Sequence, residues 1–336
     1  AHYLEHMMFK GSNEIGALDW ESEKVLLDEI SDLFEQHKAT SDVDEKKAIY
    51  AKIDSVSQIA SKLVAANEYD RLIKSIGARG TNAYTSNERT VYMNNIPSNE
   101  LEKWLKIEKS RFGQLVLRLF HTELETVYEE FNMGQDQDDR QSYYMLMEKL
   151  FPNHVYGTQT TIGKPEHLKN PSMVNIYNYF DKYYVPNNMA VCLAGDLDFE
   201  ETIQLIDKYF GGFESSPVEP VIHEPAGEIV GEVVGEVFGP KSESMQMAFR
   251  IGGIKSEDRK CATIVSSILS NNKAGLIDLN LVQSQKVLSA GAYCSFMKEY
   301  GRFTFYGYPK QGQELEEIKD MLMAEIDKIK KGDFED

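Results

Sequence analysis

The chain has little cysteine for its length. Three cysteines stand among 336 residues, at Cys192, Cys261 and Cys294, and none belongs to a C-x-x-C pair. So few and so widely spaced, they cannot build a disulfide framework. Because apolar or small residues surround each of them, we expect buried free thiols without a redox or metal role.

Basic residues are also in short supply. The chain has 36 Lys and Arg against 54 Asp and Glu, a net charge of -18. A nucleic-acid-binding face needs clustered Lys and Arg, and here the basic residues are interspersed with more numerous acids. The composition therefore predicts no nucleic-acid partner and a solvated acidic surface.

Long apolar runs are missing as well. No stretch is long enough to predict a membrane span, and no signal peptide is visible. The sequence leaves the compartment open between the cytoplasm and an exported, periplasmic location. What is present is ordinary globular composition, with 42% hydrophobic and 11% aromatic residues, enough for two domains with real cores.

The most informative pattern is at the start of the chain, "AHYLEHMMFKGS". If this segment is helical, His2, Glu5 and His6 project from one face. The spacing H-x-x-E-H is the inverted form of the zinc-protease helix, in which two imidazoles bind zinc and the carboxylate acts on the metal-bound water. A third ligand is needed to complete such a site.

The segment "HTELETVYEEFNMG" offers candidates for the third ligand. Glu123 and Glu130 are seven residues apart, two helical turns, so both carboxylates lie on one face of a helix. The residues alone leave two interpretations open, a ligand-bearing face or an acidic face in solvent.

A weak internal repeat predicts the architecture. Residues 82–110 and 291–326 both read as an alternating strand, a turn and an amphipathic helix. The second copy is preceded by a strand at 244–253 and a helix at 258–271, the counterpart of the H-x-x-E-H helix without its histidines. We expect an α+β fold of two homologous domains, each a mainly antiparallel sheet with helices packed on one side.

The expected boundaries follow from composition. We expect residues 1–213 to form the first domain, which would be the catalytic zinc-binding one if the H-x-x-E-H motif is a metal site, and which ends with a strand at about 188–196 and a helix. Residues 214–227 contain three prolines and read as a linker. Residues 228–336 form the second domain, without a metal motif. Helical spacing on both sides of a polar turn predicts an inserted helical hairpin at about 18–67.

Both ends of the repeat look cut short. The first copy has no counterpart of the opening strand of the second copy, and the second copy stops before the later helices of the first. We therefore expect the chain to cover about the N-terminal half of a longer protein.

Four motifs in this order resemble one family. They are H-x-x-E-H followed by "FKGS", the "NAYTS" strand, the E-x6-E helix, and "NMAVCLAGD" before a helix. They are similar to the pitrilysin and insulysin family of inverted zinc metallopeptidases (inverzincins), which includes the mitochondrial processing peptidase. The resemblance implies one zinc ion per chain, with His2, His6 and Glu130 as ligands.

The resemblance also implies the other site residues. Glu5 would be the general base, and Glu123 a supporting carboxylate behind the site. Asn82 and Ala83 lie where the edge strand of the family meets the substrate backbone. An edge strand binds a peptide through backbone hydrogen bonds that do not depend on side chains.

The implied function is that of a zinc-dependent endopeptidase. It would hydrolyse peptides or small unfolded proteins through a zinc-activated water, with Glu5 as general base. Family members close a chamber between two double-domain halves, so a second half, on the same full-length chain or on a separate subunit, is an expected partner. Without it we expect this chain to be inactive.

Two other interpretations remain open on the sequence. The first is a peptide-binding or scaffold subunit of the same fold that does not cleave. The second is a structural protein with a chance metal motif. Zinc analysis separates the last from the other two, and peptide cleavage by the complete protein separates the enzyme from the binding subunit.

Overall fold

The computed structural model describes residues 1–334, which form two compact units. The first unit holds residues 1–134 and 159–223, and the second holds residues 135–158 and everything described from 224 onward. Residues 135–158 thus lie with the second unit, although the sequence placed them in a domain of residues 1–213. The apolar side chains of this segment account for its place in the second unit, because Met147 and Leu150 pack with Ile229 and Ala248 of that unit.

The first unit is mostly helical. Its helices are α1 (His2–Met7), α2 (Trp20–Ala39), α3 (Val43–Ala60), α4 (Glu68–Ser75), α5 (Leu101–Gly113), α6 (Phe120–Gln135), α9 (Pro165–Lys169), α10 (Met173–Tyr183) and α11 (Phe199–Phe210). Its strands are β1 (Arg79–Thr85) and β2 (Thr90–Asn95), an antiparallel pair in which Ala83 lies opposite Tyr92. Its largest core cluster joins α1, the hairpin, α6 and α10.

The predicted hairpin is confirmed as α2 and α3. Each helix begins at an aspartate whose side chain accepts hydrogen bonds from the first turn, Asp19 for α2 and Asp42 for α3. Leu27, Ile30 and Phe34 of α2 are buried against the rest of the first unit. The hairpin is therefore a packed part of this unit rather than a loop that projects from it.

The second unit has the larger sheet. Its helices are α7 (Asp138–Leu150), α8 (Val155–Thr158), α12 (Asp258–Leu269), a π-helical turn (Asp278–Gln283) and α13 (Leu315–Lys331). Its strands are β3 (Met245–Gly252), β4 (Ser289–Phe296) and β5 (Tyr300–Tyr308), in the antiparallel order β3-β5-β4. Phe305, Ile318 and Leu322 form the centre of the core between this sheet and α13. Residues 335 and 336, at the end of the predicted second domain, lie outside the described residues.

Two expectations are wrong. The strand predicted at 188–196 does not form: residue 188 ends a short 3-10 turn, and residues 189–196 are mostly exposed and pair with no strand among residues 1–334. The prediction of buried thiols also fails, since Cys192 and Cys261 are exposed and Cys294 is half-buried. Cys192 lies in that unpaired segment, and Cys261 lies on the solvent side of α12.

The predicted α+β class is confirmed. Both sheets are antiparallel, and helices pack against them in each unit. Within residues 1–334, no helix combines the length and the apolar character needed to cross a membrane. The homology of the two domains stays a prediction.

Candidate metal centre and peptide cleft

The first helix has two chemically different faces. Tyr3, Leu4 and Met7 are buried in the core of the first unit. Their burial fixes the rotation of α1, because these three positions lie on one side of the helix. The other side then carries His2 and His6 on successive turns, as the H-x-x-E-H spacing predicts.

Helix α6 is fixed in the same way. Phe120, Leu124 and Val127 are buried against α1 and the hairpin. Glu123 and Glu130 both line the same cleft as the two histidines, so the seven-residue spacing does place both carboxylates at one site.

Three of the predicted residues converge. The Glu130 Oε2 atom lies 3.7 Å from His2 Nε2 and 3.6 Å from His6 Nε2. One ligand atom from each of the three side chains lies within 4.8 Å of the others. Glu129, the neighbouring alternative on α6, is exposed and is not part of this cluster.

This geometry suits zinc. Two imidazoles and a carboxylate are a donor set that zinc accepts, and tetrahedral coordination with bonds of about 2.0 to 2.1 Å separates ligand atoms by about 3.3 Å. The observed separations of 3.6 and 3.7 Å are close to that value. Three protein ligands also leave a fourth position open, as catalytic zinc sites require.

Glu123 lies behind His6. The Nδ1 atom of His6 donates to Glu123 Oε1 at 2.8 Å, and the Lys10 ammonium forms an ion pair with the other carboxylate oxygen. This contact fixes the imidazole so that Nε2 faces the cluster, an arrangement typical of metal-binding histidines.

The hydrogen bond between His6 and Glu123 also shifts the pKa values of both side chains. The hydrogen bond with Glu123 raises the pKa of His6 above its ordinary value, although burial acts in the opposite direction. Burial would raise the pKa of Glu123, but the hydrogen bonds from His6 and Lys10 outweigh it and lower that pKa.

Glu5 is held separately from the three converging residues. It is buried, with 7% of its surface exposed, and its Oε2 atom accepts a hydrogen bond from the Thr85 hydroxyl at the end of β1. This contact orients the carboxylate within the cleft that the histidines line. Sequence reasoning missed Thr85 and Lys10, although both belong to motifs that carried the resemblance, "NAYTS" and "FKGS".

The cleft has a volume of about 540 Å³ and joins the cluster to β1. It is lined by His2, Glu5, His6, Phe9, Lys10, Asn67, Tyr69, Asp70, Thr81, Asn82, Ala83, Glu123 and Glu130. Asn82 is exposed and Ala83 is half-buried. Among residues 1–334, β1 pairs only with β2, so its other edge is open to an extended peptide.

Known proteins are similar to this chain in overall sequence and in fold. Residues 174–336 match the family described as "Peptidase M16 inactive domain". The zinc protease PqqE of Helicobacter pylori is 23% identical over 297 residues, which cover 86% of this chain and 66% of that protein. The crystal structure of a protease from Helicobacter pylori has a TM-score of 0.72 at 22% identity, over 80% of this chain and 67% of that one. The crystal structure of pitrilysin has a TM-score of 0.64 at 18% identity, over 97% of this chain and 30% of that one.

The chain is a relative of the M16, or pitrilysin-family, zinc proteases. The predicted resemblance is confirmed, and the names of its relatives imply zinc at the level of the family. The chain spans 66% of the length of the Helicobacter pylori protein and 30% of the pitrilysin chain.

The term "inactive domain" applies to a defined part of this chain. The matched range begins at residue 174, in α10, and the candidate metal ligands and Glu5 all lie before it. The match therefore covers residues 174–223 of the first unit and the second unit from residue 224 onward, without its residues 135–158. It leaves the chemistry of the cleft to be argued from its own residues.

Proposed function

We propose that this chain is the zinc-binding, catalytic half of an M16 endopeptidase that hydrolyses peptides or small unfolded proteins. One observation carries the proposal. His2, His6 and Glu130 converge in a cleft that also holds a buried carboxylate, Glu5, and borders the open edge of a strand.

His2, His6 and Glu130 would hold the zinc, with Glu123 fixing the ring of His6. The metal, when bound, supplies Lewis acidity toward water and the scissile carbonyl. Glu5 accepts a proton from the attacking water and returns it to the leaving amine. A general base must be held in place, and the Thr85 hydroxyl does this for Glu5.

The open edge of β1 orients the substrate. A peptide that adds a strand beside Asn82 and Ala83 is held by backbone hydrogen bonds. These bonds require an extended conformation but depend little on the peptide's sequence. Cleavage would then be broad in sequence but limited to segments that can become extended, namely peptides and unfolded chains.

In the proposed enzyme, cleavage requires a second half in addition to this chain. The relatives are longer proteins, and a peptide that touches only one wall of a chamber is poorly aligned for attack. A second half, on the same polypeptide or on another subunit, would supply the opposing wall.

The decisive test is Glu5→Gln in the complete enzyme, assayed on a short unstructured peptide with zinc content measured alongside. Because glutamine cannot accept the proton, we expect cleavage to fall by about 10²-fold to 10⁴-fold while zinc stays bound. Glu130→Gln should instead weaken zinc binding itself, since it removes an anionic ligand.

Glu129→Gln is the matched control, because Glu129 is exposed on the same helix as Glu130. It should retain both zinc and cleavage. Full activity of Glu5→Gln would remove the general-base role. A complete, zinc-loaded wild type that binds peptide without cleaving it would instead indicate the peptide-binding subunit.

A further inference from the structure

A buried arginine organises the loop that follows the metal-binding helix. Arg118 is 1% exposed. Its guanidinium donates to three backbone carbonyl oxygens of this loop, Lys10 at 2.9 Å, Ile15 at 2.9 Å and Ser12 at 3.1 Å. It also donates from Nε and Nη2 to both carboxylate oxygens of Glu23, at 2.6 and 2.8 Å. These contacts engage all five N–H groups that an arginine offers.

The loop is built closely around this side chain. Gly11 and Gly16 both have positive φ angles, +94° and +97°. A Cβ atom at Gly16 would lie 2.6 Å from the Arg118 Nη1 atom, and one at Gly11 would lie 2.1 Å from the Ile15 carbonyl oxygen. Only glycine fits at these two positions, so the loop conformation and the guanidinium depend on each other.

Arg118 connects the two helices that carry the candidate ligands. It lies two residues before Phe120, where α6 begins, and α6 carries Glu123 and Glu130. The carbonyl of Lys10 lies three residues after α1, which carries the two histidines. One rigid side chain therefore sets the end of α1 against the beginning of α6.

The helical hairpin supplies the counter-charge. Glu23 lies in the first turn of α2 and is fully buried. An unpaired buried arginine is strongly unfavourable, so Arg118 can occupy this position only with a carboxylate beside it. The hairpin, which reads in the sequence as an insertion, thus completes the support of the metal-binding helix.

We propose that Arg118 and Glu23 are positioning residues for the zinc site, and that the hairpin is required for zinc binding because it contributes Glu23. The inference rests on the proposed zinc site. The inference adds to that site a role for the helical hairpin, which reads in the sequence as an insertion: the hairpin helps to hold His2 and His6 against Glu130.

The test is zinc affinity, measured on the complete enzyme by competition with a chromogenic chelator. The main variant is the double substitution Arg118→Met with Glu23→Leu. Replacing a buried ion pair by apolar residues often leaves stability unchanged, so this variant separates positioning from folding. The loop carbonyls nevertheless lose their donors, and we expect zinc affinity to fall by about 10-fold to 100-fold, as for other partners that orient metal ligands.

A second variant covers the case in which the double substitution does not fold. Arg118→Lys keeps the charge but cannot make the forked set of contacts, and it should weaken zinc binding in the same direction. Circular dichroism and the melting temperature without zinc show which variants are folded. Wild-type zinc affinity in the folded double variant, or in folded Arg118→Lys if the first is unfolded, contradicts the proposal.

Ser172→Ala is the matched control. Ser172 caps α10 and bonds Glu35, so it attaches the same hairpin at another place. Its loss should lower the melting temperature and leave zinc affinity within about twofold of the wild type. If Ser172→Ala weakens zinc as much as the Arg118 variants, the role of Arg118 is general stability and the inference is overturned. A wild type that binds no zinc contradicts the metal site as well, which distinguishes the two failures.

Discussion

A helix packs against the first strand of a strand pair in both units, but the contacts differ in chemistry. In the first unit α1 faces β1, and the carboxylate of Glu5 accepts a hydrogen bond from Thr85. In the second unit α12 faces β4, and the hydrogen bonds between them join neutral groups, Cys294 Sγ with Thr263 at 4.0 Å and Ser266 with the Ala292 carbonyl at 3.5 Å. A charged group at this contact is Arg259, whose guanidinium lies 5.8 Å from the centre of the Phe296 ring and, within residues 1–334, has no carboxylate partner across it. Each strand pair is followed by a helix, α5 in the first unit and α13 in the second.

The difference shows that this order of elements does not require a charged site. In the second unit the sheet buries Phe303 and Phe305 against α13, and α12 presents small hydroxyl side chains where α1 presents imidazoles and a carboxylate. Chemistry in this fold therefore lies in the side chains of one helix face rather than in the architecture. Substitutions on the two helices should have unequal effects.

The largest expected effect is on zinc content. His6→Ala removes a ligand from a three-residue donor set, so the purified protein should lose nearly all its zinc. Ser266→Ala on α12 should leave zinc content at about one ion per chain. Elemental analysis after dialysis measures both. If Ser266→Ala also removes the metal, or His6→Ala retains it, the comparison between the two helices is wrong.

A smaller effect should follow from the hydroxyl beside Glu5. Thr85→Val keeps the shape of the side chain but removes its hydrogen bond to the carboxylate. In the complete enzyme, a less firmly held general base should lower kcat by about tenfold or less, with KM and zinc content nearly unchanged. Thr263→Val, at the related contact in the second unit, should leave kcat within about twofold. Equal losses in the two variants would contradict a local role of Thr85.

Much of this fold follows from short-range patterns. The hairpin, the strands of the second sheet and α13 are where apolar periodicity and turn residues place them, because their own side chains decide their burial. Residues 189–196 show the limit of this reasoning. "NMAVCLAGD" has the composition of a strand, yet a strand also needs a neighbour, and pairing is not encoded in the segment itself.

The candidate site was predictable to a similar degree. The spacing of His2 with His6, and of Glu123 with Glu130, encodes which side chains share a helix face, and the structure brings these faces together. The support of Arg118 by Glu23 was not predictable, because the two residues are 95 positions apart and neither belongs to a local pattern.

The smallest expected effect concerns the pH dependence of the metal-free protein. His6 of α1 and Glu123 form a hydrogen-bonded pair of titrating groups, whereas the hydrogen bonds between α12 and β4 join neutral groups. The pKa of His6 is raised from its ordinary 6.5 and that of Glu123 is lowered from 4.5. The stability that His6 contributes is complete below about pH 6.5 and is lost as the pH rises through its raised pKa. The stability that Glu123 contributes is complete above about pH 4.5 and is lost as the pH falls through its lowered pKa.

Glu123→Gln should therefore lower the melting temperature, measured in the presence of a chelator, by a few degrees near pH 5.5. By pH 8 the difference should narrow without vanishing, because Lys10 still pairs with Glu123 in the wild type. Thermal unfolding followed by circular dichroism at both pH values measures the difference, with Glu129→Gln as the exposed control. A difference that stays the same from pH 5.5 to pH 8 would show that the contact with Lys10, rather than with His6, dominates at Glu123, and a difference that widens would contradict the role of the His6 contact altogether.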